Sequence, residues 1–205
     1  LLAAGLAALP LAGWAVFGSA YRYERVVAFL DPWAHAQGSG FQLRQSLIAF
    51  GRGEYAGTGL GDGVQKLFYL PEPHTDFVFA VIGEEMGLLG TLGVLALYAV
   101  VVHRGFAIGA RAGDAYGRLV AQGLTFILGF QALAHMGVNL GLLPTKGLTL
   151  PLVSYGGSSL VTTLAALGIL ASIDRAGREA KQPGRRRGAT RTGAGWWSAA
   201  AGARA

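Results

Sequence analysis

Long apolar runs alternate with polar segments along the chain, and this pattern gives the first prediction. The hydrocarbon core of a bilayer is about 30 Å thick, so a helix needs roughly 20 residues to cross it. Four runs reach that length, and they cover residues 1–20, 77–103, 119–143 and 148–173. The pattern therefore predicts an all-α, polytopic integral membrane protein with about four transmembrane helices.

The first run has two interpretations. Gly18, Ser19 and Ala20 could form the cleavage site of a signal peptide. However, the run begins without the Met and the basic segment that open a signal peptide. We therefore expect residues 1–20 to be a membrane helix of a longer protein, with a kink at Pro10.

The polar segment between the first two runs, residues 21–76, is much longer than an ordinary connection. Long loops are usually functional or disordered. Residues 41–50 have apolar positions compatible with a short amphipathic helix. Glycines then recur at 51, 53, 57, 59, 61 and 63. Such a run can be a flexible linker, or it can bring backbone N–H groups close to a phosphate.

Composition and charge agree with a membrane protein and orient it. The chain is 52% hydrophobic and 14% charged, with 33 glycines and no cysteine, so it has neither disulfides nor thiolate chemistry. Basic residues dominate the 104–118 connection and the tail, and basic loops face the cytoplasm. We therefore expect residues 21–76 outside the membrane and residues 176–205 as a disordered, basic cytoplasmic tail. Nucleic-acid binding by that tail is the weaker alternative.

Polar side chains interrupt two of the apolar runs. Gln131, His135 and Asn139 recur every four residues and share one helix face. This spacing favours hydrogen bonding between helices over metal binding. Glu84 and Glu85 cost more free energy within the membrane than these neutral polar side chains, because an ionised acid there must be paired or hydrated. Either a structural hydrogen bond to a loop or a functional cavity would explain them.

Two charged residues stand at the predicted outer ends of helices. Asp76 directly precedes the second run, and Lys146 lies in the turn before the fourth. Non-helical backbone at membrane depth is tolerated where it lines a cavity. We expect Asp76 and Lys146 to face a wet opening that suits an anionic ligand with an apolar tail.

Two long strings then identify a resemblance. "GVQKLFYLPEPHTDF" and "GLTLPLVSYGGSSL" resemble the SEDS family (shape, elongation, division, sporulation), and its division branch, the FtsW type, most of all. The resemblance covers about residues 1–175. It implies a ten-helix fold of which this chain would be the last four helices, so the fragment alone should be inactive.

The resemblance also implies an activity and a site. SEDS proteins are peptidoglycan glycosyltransferases that polymerise lipid II, with the aspartate of "HTDF", here Asp76, as an inverting enzyme's general base. The lysine of "PTKG", here Lys146, is the candidate cation for the pyrophosphate, ahead of Arg52 and Lys66. The other candidate substrate-binding residues are polar side chains of the outer segment and of residues 145–159: Gln45, His74, Thr75, Thr145, Ser154, Ser158 and Ser159. A divalent cation could assist, although no metal-ligand spacing indicates one.

Two other function classes remain open. A lipid II flippase would use the same polar cavity, and a non-catalytic scaffold would only recruit partners. The resemblance implies lipid II, the growing glycan strand, a class B penicillin-binding protein and other division proteins as partners, and no nucleic acid. It places the protein in the bacterial inner membrane at the division septum.

Overall fold

The computed structural model describes residue 25 and residues 27–34, 40–68 and 74–180. Within these residues the chain is helical and contains no strand. Residues 25 and 27–30 are helical, and the helices described from end to end are α1 (Phe41–Gly53), α2 (Gln65–Phe68), α3 (Val78–Arg111), α4 (Ala115–Asn139) and α5 (Gly157–Ala180). The predicted helix at 1–20 lies outside the described residues, as do residues 181–205 of the tail.

Three described helices, α3, α4 and α5, are long and apolar enough to span a membrane. Their bounds differ from the predicted runs. α3 continues to Arg111, and α4 begins at Ala115, where the Asp114 side chain caps it by accepting from the Gly117 N–H. α5 begins only at Gly157, because Pro151 and the glycine pair at 156–157 keep residues 148–156 out of the helix. It runs on to Ala180, so residues 176–180 are helix and not tail.

Helix α1 is the short helix predicted within residues 41–50, and it packs on the first part of α3. Ala49 and Phe77 are buried together there, and the Phe50 and Phe79 rings lie 5.6 Å apart. The long polar segment is therefore not a free loop in its described part. It brings a helix against the start of the second predicted run.

Helix α3 is broken at Gly87, whose φ of 62° and ψ of −156° are not helical. The glycine-rich loop after α1 fills the break. The N–H groups of Leu88 and Leu89 donate to the carbonyls of Glu54 and Tyr55, at 3.0 and 3.3 Å. In return, the carbonyls of Glu84 and Glu85 accept from the N–H groups of residues 58 and 59, at 2.9 and 3.1 Å. The loop thus satisfies four backbone groups that the broken helix leaves unpaired.

The connection between α4 and α5, residues 140–156, folds back between the helices. The Gln131 amide donates to the Thr149 carbonyl at 3.0 Å, and the Tyr98 hydroxyl donates to the Pro151 carbonyl. Gln131 precedes the end of α4 by eight residues, or about 12 Å of helix. Non-helical backbone therefore reaches well below the end of α4, where Leu150 and Pro151 are buried. Such backbone is tolerated within a membrane where it is buried in protein or lines a cavity.

Candidate functional site

Asp76 lies just before α3, beside the connection that follows α4. It is partly buried, and a Cβ atom placed on Gly147 would stand 3.1 Å from its Oδ2 atom. The carboxylate therefore lies against the backbone of the turn that carries Lys146, whose side chain is exposed. The structure brings together the two segments that the sequence singled out, although they are about 70 residues apart in the chain.

The polar face of α4 holds these two segments in place. Gln131 binds the connection through Thr149, as described above. The Asn139 amide donates to the Asp76 carbonyl at 3.1 Å and accepts from the Ala80 N–H at 3.2 Å. Two of the three side chains in this face thus form the hydrogen bonds between segments that their spacing predicts.

His135, between them, is 1% exposed and packs beside the backbone of Thr75 and Asp76. Neither ring nitrogen reaches a well-formed hydrogen bond within the described part of the chain. No group of three or more His, Asp or Glu side chains surrounds it there, so the described residues offer no metal site. His135 is therefore a packing neighbour of the Asp76 segment.

The turn itself is fixed by a residue that the sequence did not single out. The Arg25 guanidinium donates to the Thr145 carbonyl at 2.7 Å. The side chain of Thr145, a predicted site residue, is buried. Arg25 is 120 residues away in the chain, and only the fold could reveal this bond.

Of the other predicted site residues, some are buried or form hydrogen bonds within the protein, and others are exposed. Ser154 accepts from the Leu150 N–H at 2.8 Å, Ser159 shares a 2.8 Å hydrogen bond with Thr149, and Gln45 is buried on α1. Ser158 is exposed in the first turn of α5. Thr75 is partly buried beside Asp76.

His74 is exposed, and its carbonyl accepts from the Tyr155 N–H at 2.8 Å. This bond joins the Asp76 segment to the "SYGG" segment across an open cavity of about 520 Å³, which both segments line. The cavity opens beside the start of α5. Its lining includes His74, Ser154, Tyr155 and Gly156.

Arg52 and Lys66, the weaker cation candidates, pair with the two glutamates of α3. Lys66 forms a salt bridge with Glu85, and its ammonium also donates to the Gly61 carbonyl at 2.8 Å. Arg52 lies 3.8 Å from the carboxylate of Glu84. Both charges are thus already partnered at the helix break, so Lys146 is the stronger candidate near Asp76.

Glu84 has a structural role. Its carboxylate is 0% exposed and accepts from the N–H groups of Val64 and Gln65, both at 3.1 Å, at the start of α2. This is the loop hydrogen bonding that one interpretation of the glutamates predicted. The phosphate interpretation of the glycine run loses support, because the N–H groups of residues 57–59 already donate to protein carbonyls.

Comparison with known proteins assigns the chain to a family. Residues 1–179 match the family model for FtsW, RodA and SpoVE, described as "Cell cycle protein". The chain belongs to the FtsW/RodA/SpoVE family. This is the SEDS family that the two sequence strings indicated.

Relatives within the FtsW/RodA/SpoVE family are similar over most of this chain. A protein of Methylomonas methanica named "Probable peptidoglycan glycosyltransferase FtsW" is 54% identical over 173 residues, which are 82% of this chain and 45% of the relative. A protein of Alkalilimnicola ehrlichii with the same name is 54% identical over 189 residues, 89% of this chain and 47% of the relative. The chain thus spans about half the length of these relatives.

The fold of the family is also known from a solved structure described as "Structural coordination of polymerization and crosslinking by a peptidoglycan synthase complex". It is 40% identical to this chain, with a TM-score of 0.67, and the match covers 86% of this chain and 49% of that one. The all-α membrane fold predicted from the sequence is therefore confirmed, with three of its spans among the described residues.

Proposed function

We propose that this family member is a peptidoglycan glycosyltransferase that polymerises lipid II into glycan strands, with Asp76 as the general base. One observation carries the proposal: the Asp76 carboxylate lies against the Lys146–Gly147 turn, with Oδ2 3.1 Å from the position of a Gly147 Cβ. A proton acceptor and a cationic segment are thereby adjacent. The relatives' name, peptidoglycan glycosyltransferase, supports the same reaction.

The reaction needs one proton acceptor. A sugar hydroxyl of the acceptor attacks the anomeric carbon of the donor, and its proton passes to an oxygen of the Asp76 carboxylate. The bond from the anomeric carbon to the pyrophosphate oxygen breaks, and its electron pair leaves with the lipid pyrophosphate. Attack from the face opposite the leaving group inverts the anomeric carbon.

The leaving group needs charge stabilisation rather than a proton, because a pyrophosphate is already a stable anion. Glycosidases, in contrast, use two carboxylates because one must protonate a poor leaving group. The Lys146 ammonium extends from the turn beside Asp76 and supplies the positive charge. His74, which lines the cavity beside the start of α5, and Ser158, which is exposed in the first turn of that helix, are the remaining contacts that we assign to the sugar-phosphate region.

No step is assigned to a divalent cation. Asp76 belongs to no group of three or more His, Asp or Glu side chains among the described residues, and Mg²⁺ sites are built from oxygen ligands. In this proposal, the Lys146 ammonium offsets part of the negative charge of the pyrophosphate.

The partner and the location follow from the same assignment. The similar solved structure is described as a peptidoglycan synthase complex that coordinates polymerisation with crosslinking. We assign this protein a class B penicillin-binding protein as its crosslinking partner, and the inner membrane at the division septum as its location. Asp76 then faces the extracytoplasmic side, where the sugars of lipid II lie, while α5 ends on the cytoplasmic side.

The decisive experiment uses the full-length protein with its partner and labelled lipid II. Asp76→Asn keeps the shape of the side chain but cannot accept a proton, so we expect glycan formation to fall by about 10²–10⁴-fold. Glycan length and yield are measured at equal amounts of folded protein. Near wild-type glycan formation by Asp76→Asn would refute the general-base assignment. Lipid II transfer across liposomes without any glycan would indicate a flippase, and neither activity would indicate a scaffold.

A further inference from the structure

Asp76 itself is held by a side chain from another helix. The Asn139 amide is 0% exposed and lies between the Asp76 segment and the first turn of α3. Its Nδ2 donates to the Asp76 carbonyl at 3.1 Å, and its Oδ1 accepts from the Ala80 N–H at 3.2 Å. One amide therefore binds the backbone on both sides of the point where α3 begins.

This amide adds a side-chain acceptor at the start of α3, where the N-cap residue supplies none. The first N–H groups of a helix have no partner within the helix, and a polar N-cap side chain usually accepts from one of them. The N-cap residue of α3 is Phe77, which has no side-chain acceptor. The Ala80 N–H donates to the Phe77 carbonyl at 3.0 Å and also to Oδ1 of Asn139 on α4. The donor end of the same amide holds the residue that carries the carboxylate.

The orientation of the amide is determined by its surroundings. Nδ2 lies between two carbonyls, those of Asp76 at 3.1 Å and His135 at 2.9 Å, while Oδ1 faces an N–H. A flipped amide would place its oxygen against both carbonyls, so only one orientation is compatible. The Ser46 hydroxyl donates to the Asn139 carbonyl at 2.7 Å, a contact with the backbone of Asn139 and not with its amide.

We propose that Asn139 is a positioning residue for Asp76. The inference rests on the proposed function, since it concerns the group assigned there as the general base. A displacement of about 1 Å in a reacting group can cost 10²-fold in rate. Removing the Asn139 donor takes one hydrogen bond from the Asp76 backbone, so the residue that carries the carboxylate is held less firmly.

Two variants of the full-length protein test the proposal. Asn139→Asp retains an oxygen for the Ala80 N–H but loses the donor to Asp76, and Asn139→Ala loses both without adding charge. We expect kcat for lipid II polymerisation, per folded molecule, to fall about 10–100-fold in each, with KM within about twofold of wild type. The matched control is Ser46→Ala, which removes a buried hydrogen bond to Asn139 but leaves its amide intact. Its kcat should stay within about twofold of wild type.

A double mutant separates positioning from general loss of structure. In the Asp76→Asn background there is no base to position, so Asn139→Asp should lower the residual rate by less than about twofold. A wild-type kcat in folded Asn139→Asp and Asn139→Ala would overturn the inference. So would an equal loss in Ser46→Ala, or a full multiplicative loss in the double mutant. These results leave the proposed function standing, whereas an active Asp76→Asn protein would refute the base assignment itself.

Discussion

The break in α3 can be tested with two glycines of that helix. Gly87 has a backbone conformation that is essentially restricted to glycine, and a Cβ there would lie 2.5 Å from the Gly57 nitrogen and 2.7 Å from the Tyr55 carbonyl. Gly93 is helical, and a Cβ there meets no atom within 4 Å. The same substitution, Gly→Ala, should therefore have opposite effects at the two positions.

The magnitude follows from the contacts at the break. Forcing Ala into the conformation of Gly87 costs about 1–3 kcal/mol. The clash must also move the loop, which puts four backbone hydrogen bonds at risk, each with a net contribution of about 0.5–1.5 kcal/mol. We therefore expect Gly87→Ala to destabilise the protein by at least about 3 kcal/mol, while Gly93→Ala stabilises it by about 0.5–1 kcal/mol.

The measurement is the denaturant midpoint of the purified full-length protein in detergent, with both variants and wild type in parallel. Since folded proteins are stable by about 5–15 kcal/mol, the expected loss is a large fraction of the total. If Gly87→Ala unfolds at the same midpoint as Gly93→Ala, the loop does not stabilise the break and our account of it is incorrect.

Three further predictions concern charge and orientation. Glu84→Gln presents an amide NH₂ to one of the two loop N–H groups that the carboxylate accepts from, so the free energy of unfolding should fall by about 1–3 kcal/mol. Polymerisation per folded molecule should be unchanged, and a rate loss without a stability loss would contradict this. Lys146→Ala should lower lipid II turnover, with Lys146→Arg restoring only part of it, because ammonium and guanidinium differ in geometry; a fully active alanine variant would remove Lys146 from the site. A cysteine at exposed Leu60 should react with an impermeant maleimide in intact cells, and one at exposed Tyr116 only after permeabilisation, while the reverse pattern would invert the topology. This chain has no cysteine, so its own residues add no background to the maleimide labelling.

The sequence predicted the parts of the fold that depend on local pattern. The length of the apolar runs indicated the three described membrane spans, and the helical spacing of apolar residues indicated α1. The four-residue spacing of Gln131 and Asn139 indicated that both face a neighbouring segment. The start of α5 was misjudged because apolar composition alone does not separate a helix from the buried, non-helical segment before it. Pro151 and Gly156 were the signals that could have corrected the boundary.

The contacts of the site could be predicted only in part. The motifs singled out Asp76 and Lys146, but Arg25 and Asn139 act through backbone carbonyls, and any residue can present a carbonyl. Such bonds leave no trace in the residue type of the partner. The pairing of Lys66 with Glu85 was equally hidden, because it depends on how the glycine loop folds onto α3.

The two clusters of polar groups in this membrane protein perform separate tasks. At the helix break, Glu84 and Glu85 bind loop N–H groups and cations, so these two acids hold structure. At the other, Asn139 binds the backbone around Asp76, and the Asp76 carboxylate lies against the turn of Lys146. A buried charge is costly unless it is paired, and an active-site charge must stay accessible to substrate. Under the proposed function, the fold meets both demands by placing the proposed base, Asp76, before the first turn of α3 and the two structural glutamates at its break.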